Sequence, residues 1–132
     1  MALLTAIVSL VITYKKYRYY EDRRHNEILS KFNQRYLTNE DIQTVVKYLR
    51  EIDPSDIQPT PYQTEVFLRF FEELGIYLED KSLHVDDVRN FFDYYFSVFE
   101  KSQRGKALQK FLSPEDLQTC YLSKYREILT NK

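Results

Sequence analysis

The chain has few of the residues that catalysis, metal binding and tight turns draw on. Its 132 residues include one cysteine, two histidines, two glycines, four prolines and no tryptophan. One cysteine excludes an internal disulfide and suits a reducing compartment. Neither Gly75 nor Gly105 stands in a P-loop or a dinucleotide-binding turn. His25 and His84 lie far apart in the sequence, with no second histidine one turn away, so no transition-metal spacing is present. Neither has a serine or cysteine with a nucleophile signature beside it. Asp53-Pro54-Ser55-Asp56 lacks the remainder of a calcium loop. The doublets Glu72-Glu73 and Asp86-Asp87 fall on helices, where neighbours diverge by about 100° and make a poor acid/base pair. The reading is a non-enzyme with no cofactor and no metal.

What is present begins at the N-terminus. Residues 2–14 (ALLTAIVSLVITY) carry no charge, glycine or proline, and run into Lys15-Lys16-Tyr17-Arg18-Tyr19-Tyr20. An apolar run beside a basic, tyrosine-rich collar is the pattern of a membrane-anchoring helix and its interface. As a helix, residues 2–14 measure about 20 Å, and a span of the ~30 Å hydrocarbon core requires Lys15, Lys16 and Arg18 to snorkel. Lys15, Lys16, Tyr17, Arg18 and Tyr20 are therefore the expected membrane-interface residues. Nothing basic precedes the run and Thr13-Tyr14-Lys15-Lys16 is a poor cleavage site, which argues against a signal peptide. A buried or interfacial helix is the other competitor, since apolar runs of this length often are one.

Thr5, Ser9 and Thr13 recur on one helix face with Ala2 and Ala6 close by, a stripe of small residues that would let helices approach in a membrane. The bland alternative is that these hydroxyls bond their own helix's carbonyls. Tyrosines among basic residues could also clamp single-stranded nucleic acid, but a net charge of −1 and a pI near 6.1 argue against it. The positive-inside rule places the basic side in the cytoplasm. The organisation read from this is an anchor and collar over residues 1–20 and a cytoplasmic helical domain over residues 21–132.

Twelve tyrosines and nine phenylalanines, within 43% apolar residues, predict an aromatic core. Helical stripes follow in order. Ile28, Leu29, Phe32 and Tyr36 extend the first helix. Thr38-Asn39-Glu40-Asp41, an N-cap with an acid three residues on, opens a helix with Ile42, Val45, Val46 and Leu49 inward. A capping box at Thr60-Pro61-Tyr62-Gln63 opens another, with Val66, Phe67, Phe70, Phe71, Leu74, Tyr77 and Leu78 on one face. Gly75 either closes that helix or sits inside it against a neighbour. Asp86-Asp87 cap a helix running to Lys101 with Val88, Phe91, Phe92, Tyr95 and Phe99 inward. Residues 102–106, with Gly105, read as the most flexible inner loop. Ser113-Pro114-Glu115-Asp116 start the last helix, with Leu117, Cys120, Tyr121, Tyr125 and Ile128 inward. The expected fold is all-α: the anchoring helix continuing into an up-down bundle of four to five helices.

The membrane segment, the basic juxtamembrane stretch and the Phe70-Phe71-Glu72-Glu73-Leu74-Gly75 helix together resemble a family of small bacterial membrane-anchored helical proteins. The likeness covers roughly residues 20–100. Members carry a second glycine where this chain has Lys81-Ser82, and their anchors are longer. The resemblance implies a helical protein of the bacterial inner membrane and carries over no catalytic residue; with the positive-inside rule, the expected topology is a single pass with the helical domain in the cytoplasm. The function read from all this is a membrane-tethered protein-interaction module, acting as a scaffold or partner-holding subunit. Its partners are membrane lipid and either another protein or its own copies. The alternative is a soluble homo-oligomer that buries the N-terminal apolar helix in its own assembly.

Overall fold

The computed structural model describes residues 2–55, 57–117 and 120–130, with no account of the side chains of residues 120 and 121. Asp56, and the inward placement expected for Cys120 and Tyr121, fall outside what is described. No glycine or proline precedes Pro54, and α1 (Ala2–Thr38) accordingly runs 37 residues without a break, a rod of about 55 Å. After it come α2 (Glu40–Leu49), α3 (Pro61–Glu79), α4 (Val85–Phe91), α5 (Asp93–Lys101), α6 (Gln103–Gln109), α7 (Pro114–Leu117) and α8 (Cys120–Thr130). Among the described residues there is no strand, and the protein is an all-α helical bundle. The helix α3 lies at its centre, flanked by α8 and α2.

Local chemistry sets the boundaries. Asn39 leaves helical backbone, and its side chain accepts from the Ile42 amide at 3.1 Å. Gln43 Nε2 then reaches back to the Tyr36 carbonyl at 2.6 Å, serving an acceptor that the end of α1 leaves without an intrahelical donor. Thr60 and Gln63 form the reciprocal capping box, with Pro61 as the first residue of α3. Gly75 does not end that helix; it is buried within it. The stop comes at Lys81, in left-handed backbone at φ 64°, with Ser82 N–H donating to Tyr77 O (2.9 Å) and Lys81 N–H to Leu78 O (3.2 Å). This is a Schellman closure that has lysine where glycine is usual.

Two expectations are corrected downstream. The helix anticipated from residue 86 to Lys101 is two helices, broken at Phe92 (φ −127°, ψ −27°). The break turns Phe92 into the core against Phe70 and Tyr36, at ring separations of 5.4 and 5.5 Å, and leaves Phe91 exposed instead of inward. Phe96, one turn on, takes the next inner place. The supposed loop at residues 102–106 is mostly helix, since Ser102 leaves helical backbone and caps α6 by accepting from the Gly105 amide at 3.0 Å. That turn deprives the Phe99 carbonyl of its helical donor, and Gln109 Nε2 supplies one at 2.7 Å. A Cβ on Gly105 would stand 2.0 Å from that same carbonyl oxygen, so glycine is needed for close approach rather than for flexibility.

The core is a lattice of rings. Phe70 packs on Phe32, Tyr36, Phe71 and Phe92, while Phe71 reaches Phe67, Phe96 and Tyr125. Phe32 and Tyr36 are the only core residues of α1 that are fully buried, so the helix docks through its C-terminal half. Tyr77, expected inside, stands at the rim with its ring 5.1 Å from Phe32. Burial, with Asp93 as a second cause, raises the Tyr125 hydroxyl above its ordinary pKa, and the Tyr125 hydroxyl donates to Asp93 Oδ1 at 3.1 Å. Burial likewise raises Tyr36, whose hydroxyl has no hydrogen-bond partner.

These observations predict two opposed pairs in denaturant unfolding. Lys81→Gly relieves left-handed strain and adds about 1 kcal/mol, whereas Gly105→Ala overpacks the α5–α6 corner and removes about 1–3 kcal/mol. Tyr36→Phe deletes an unsatisfied buried hydroxyl and adds about 1 kcal/mol, whereas Tyr125→Phe strands Asp93 and removes about as much.

Candidate functional site

Two regions stand out from this fold, and both lie on α1. The first is its N-terminal arm. Every residue from 2 to 20 is exposed, including Leu3 at 75% and Leu10 at 69%. At about 100° per residue, Leu3, Leu4, Ile7, Val8, Leu10, Val11 and Ile12 fill an arc of roughly 200°. Ala2, Thr5, Ala6, Ser9 and Thr13 occupy the opposite arc, so the expected small-residue face exists on the helix. Continuing the same wheel, Arg18 and Lys15 fall in line with the large apolar arc rather than with the small one. Lys16, Tyr17 and Tyr20 fall on other sides of the collar. Arg18 lies over the Tyr14 ring at 6.0 Å, and the Tyr19 and Tyr20 rings meet edge-on at 5.9 Å.

No helix among the described residues is long and apolar enough to cross a membrane. The single-pass span expected over residues 1–20 therefore lacks support, and the reason is in the collar. A crossing helix needs about 20 apolar residues. Any such stretch counted from Ala2 takes in Lys15, Lys16 and Arg18.

The second region is where α1 meets the loop between α3 and α4. The His25 side chain is only 11% exposed. Its ring meets His84 edge-on, with centroids 4.2 Å apart and planes at 87°. His25 Nδ1 and His84 Nε2 are 2.7 Å apart. Asp22, one turn earlier on α1, brings a carboxylate oxygen so that all three ligand-type atoms lie within 4.8 Å of one another. On the other side of the ring, His25 Nε2 is 3.7 Å from Glu21 Oε2. Glu21, His25 and His84, though not Asp22, line a hollow of about 660 Å³ shared with Leu83, Lys81, Glu79, Lys124 and Glu127. The reading that the two histidines are remote from each other is thus corrected. Asp22 and His25 share a helix face and were legible as a pair, but His84 arrives from 59 residues away through the tertiary fold.

Below this joint the docking is polar as well as aromatic. Arg35 makes a two-point ion pair with Glu73 of α3, its second bond 3.2 Å long, while its guanidinium lies 5.4 Å from the Phe70 ring centre. Neither carboxylate doublet forms a paired site: Glu73 is committed to Arg35, and Asp86 faces Arg89 on its own helix at 3.6 Å. Comparison with protein-family models, with curated proteins and with solved structures finds no match to this chain.

Proposed function

We propose that the protein is a membrane-tethered helical interaction module, with no catalytic role, that holds a protein partner or its own copies at a lipid surface. The observation that carries this is the bare arm of α1: residues 2–14 present large apolar side chains to the surroundings, with no part of the domain covering them. Such a surface is stable only against lipid or protein. The collar favours lipid. Lys15, Lys16 and Arg18 follow directly on the apolar run, as charges at headgroup level would.

The geometry of the wheel favours end-on entry over lying flat. A flat helix needs its charges opposite its apolar arc, but Lys15 and Arg18 continue that arc. Entering end-on, the uncharged run reaches about 20 Å into the bilayer, well short of the full ~30 Å core. The domain then stands on the collar side of the bilayer. The resemblance to small bacterial membrane-anchored helical proteins supports a membrane tether, and the positive-inside rule would put the collar side, with the domain, in the cytoplasm.

A second reading has its own support. A run this short matches buried helices as well, and the Ala2, Thr5, Ala6, Ser9 and Thr13 face would let copies pack closely. In that reading the arms of several chains cover one another and no lipid is involved.

Flotation of the full chain with anionic vesicles separates the two. The tether predicts co-flotation that survives a carbonate wash. Ile7→Lys with Val11→Lys should abolish it, each charge costing about 2.5–3.5 kcal/mol in hydrocarbon. Lys15→Gln with Arg18→Gln should weaken it about tenfold or more. A chain that stays in the soluble fraction as a discrete oligomer, with or without vesicles, would contradict the tether.

A further inference from the structure

We infer that Asp22, His25 and His84 form a divalent transition-metal site, best suited to Zn²⁺, at the joint between α1 and the α3–α4 loop. The inference is independent of whether the arm of α1 meets lipid. Two imidazole nitrogens and a carboxylate oxygen converge there, all within 4.8 Å of one another. This donor set suits zinc and its neighbours, whereas Ca²⁺ and Mg²⁺ prefer oxygen alone.

Zinc binds imidazole nitrogen at ~2.0–2.1 Å, which in a tetrahedral shell places two such nitrogens roughly 3.3 Å apart. His25 Nδ1 and His84 Nε2 already stand 2.7 Å apart, with their rings nearly perpendicular. Seating the ion takes an opening of about 0.6 Å between the two nitrogens, which the exposed His84 side chain would supply, and a closing of the Asp22 carboxylate from as far as 4.8 Å to the same ~3.3 Å spacing. Asp22 sits one turn before His25 on a helix that runs unbroken through both, so these two ligands are fixed on one face.

The surroundings fit as well. Glu21 lies 3.7 Å from His25 Nε2, the nitrogen that would not face the ion. A carboxylate on that side, once drawn in to hydrogen-bond distance, would hold a metal-ligating imidazole in the required tautomer and raise its basicity. Lys81 and Lys124 also border the hollow, but Glu79 and Glu127 border it with them and offset their charge. Three protein ligands leave a fourth position for solvent. Because the ligands come from α1 and from the α3–α4 loop, a bound ion clips the rod to the bundle one turn beyond the basic collar.

The test uses the purified full chain, stripped with chelator and titrated with Zn²⁺ by calorimetry, with Co²⁺ as a spectroscopic probe. One equivalent should bind, with Co²⁺ absorption in the range of nitrogen- and oxygen-ligated tetrahedral sites and with a rise in Tm. His84→Ala, at an exposed position that supplies no side-chain cap, leaves the fold intact. It should weaken binding by more than the ~10–100-fold that loss of an outer partner costs, while Glu21→Gln should fall within that range. Asp22→Asn should weaken it too, and excess Mg²⁺ should not compete. Failure of either ion to bind, or a His84→Ala chain that binds like the parent, would overturn the assignment.

Discussion

The packing of Phe32 and Tyr36 on Phe70 is the contact on which the rest of the structure depends. A rod of 37 residues meets the bundle through one half only, and these rings are what fix it there. Phe70 passes the contact on to Phe92 and Phe71, and Phe71 to Phe96 and Tyr125, so α1, α3, α5 and α8, with Phe92 at the α4–α5 break, share one continuous set of aromatic faces. Edge-to-face packing of this kind is directional. The Phe32 and Tyr36 contacts on Phe70 therefore set the angle at which α1 leaves the domain, and with it the direction of the uncovered arm.

Arginines close the seams between these helices, each combining a ring face with a hydrogen bond. Arg35 covers Phe70 and pairs with Glu73; Arg104 lies 4.8 Å from the Tyr48 ring centre and donates to the Tyr48 and Asp53 carbonyls. Arg126 covers Phe96, pairs with Glu100 at 2.7 Å and donates to the Leu117 carbonyl. A planar guanidinium can stack and donate at once, which a lysine ammonium cannot do. A chain with no tryptophan and much phenylalanine thereby obtains polar anchoring at the edges of a core in which most rings carry no donor of their own.

Features written in a few adjacent residues could be read directly from the sequence. The caps at Thr60 and Ser113 and the stripe of α2 depend only on residues within a turn or two and stand as read, while the cap expected at Thr38 falls one residue later at Asn39 and the α3 stripe loses only Tyr77 to the rim. The break at Phe92 could not be read, because no glycine or proline marks it; the helix yields there so that a ring can enter the core. Gly105 was visible but gave the wrong cue, since its lack of a side chain answers a backbone 2.0 Å away and not a need for motion. The His25–His84 meeting depends on how α1 docks and where the α3 closure at Lys81 delivers the next loop. Neither is encoded locally. The uncovered arm was the reverse case: its composition was plain, while its length against the bilayer limits what it can do there.

The account stands or falls on whether the first turns of α1 lie in hydrocarbon. The chain has no tryptophan, so Val8→Trp places a single reporter in the middle of the apolar run. Its fluorescence should shift to the blue on mixing with vesicles and be quenched by lipids brominated along the acyl chain. Emission that is already blue-shifted without lipid, and untouched by brominated chains, would mean that protein covers the arm instead.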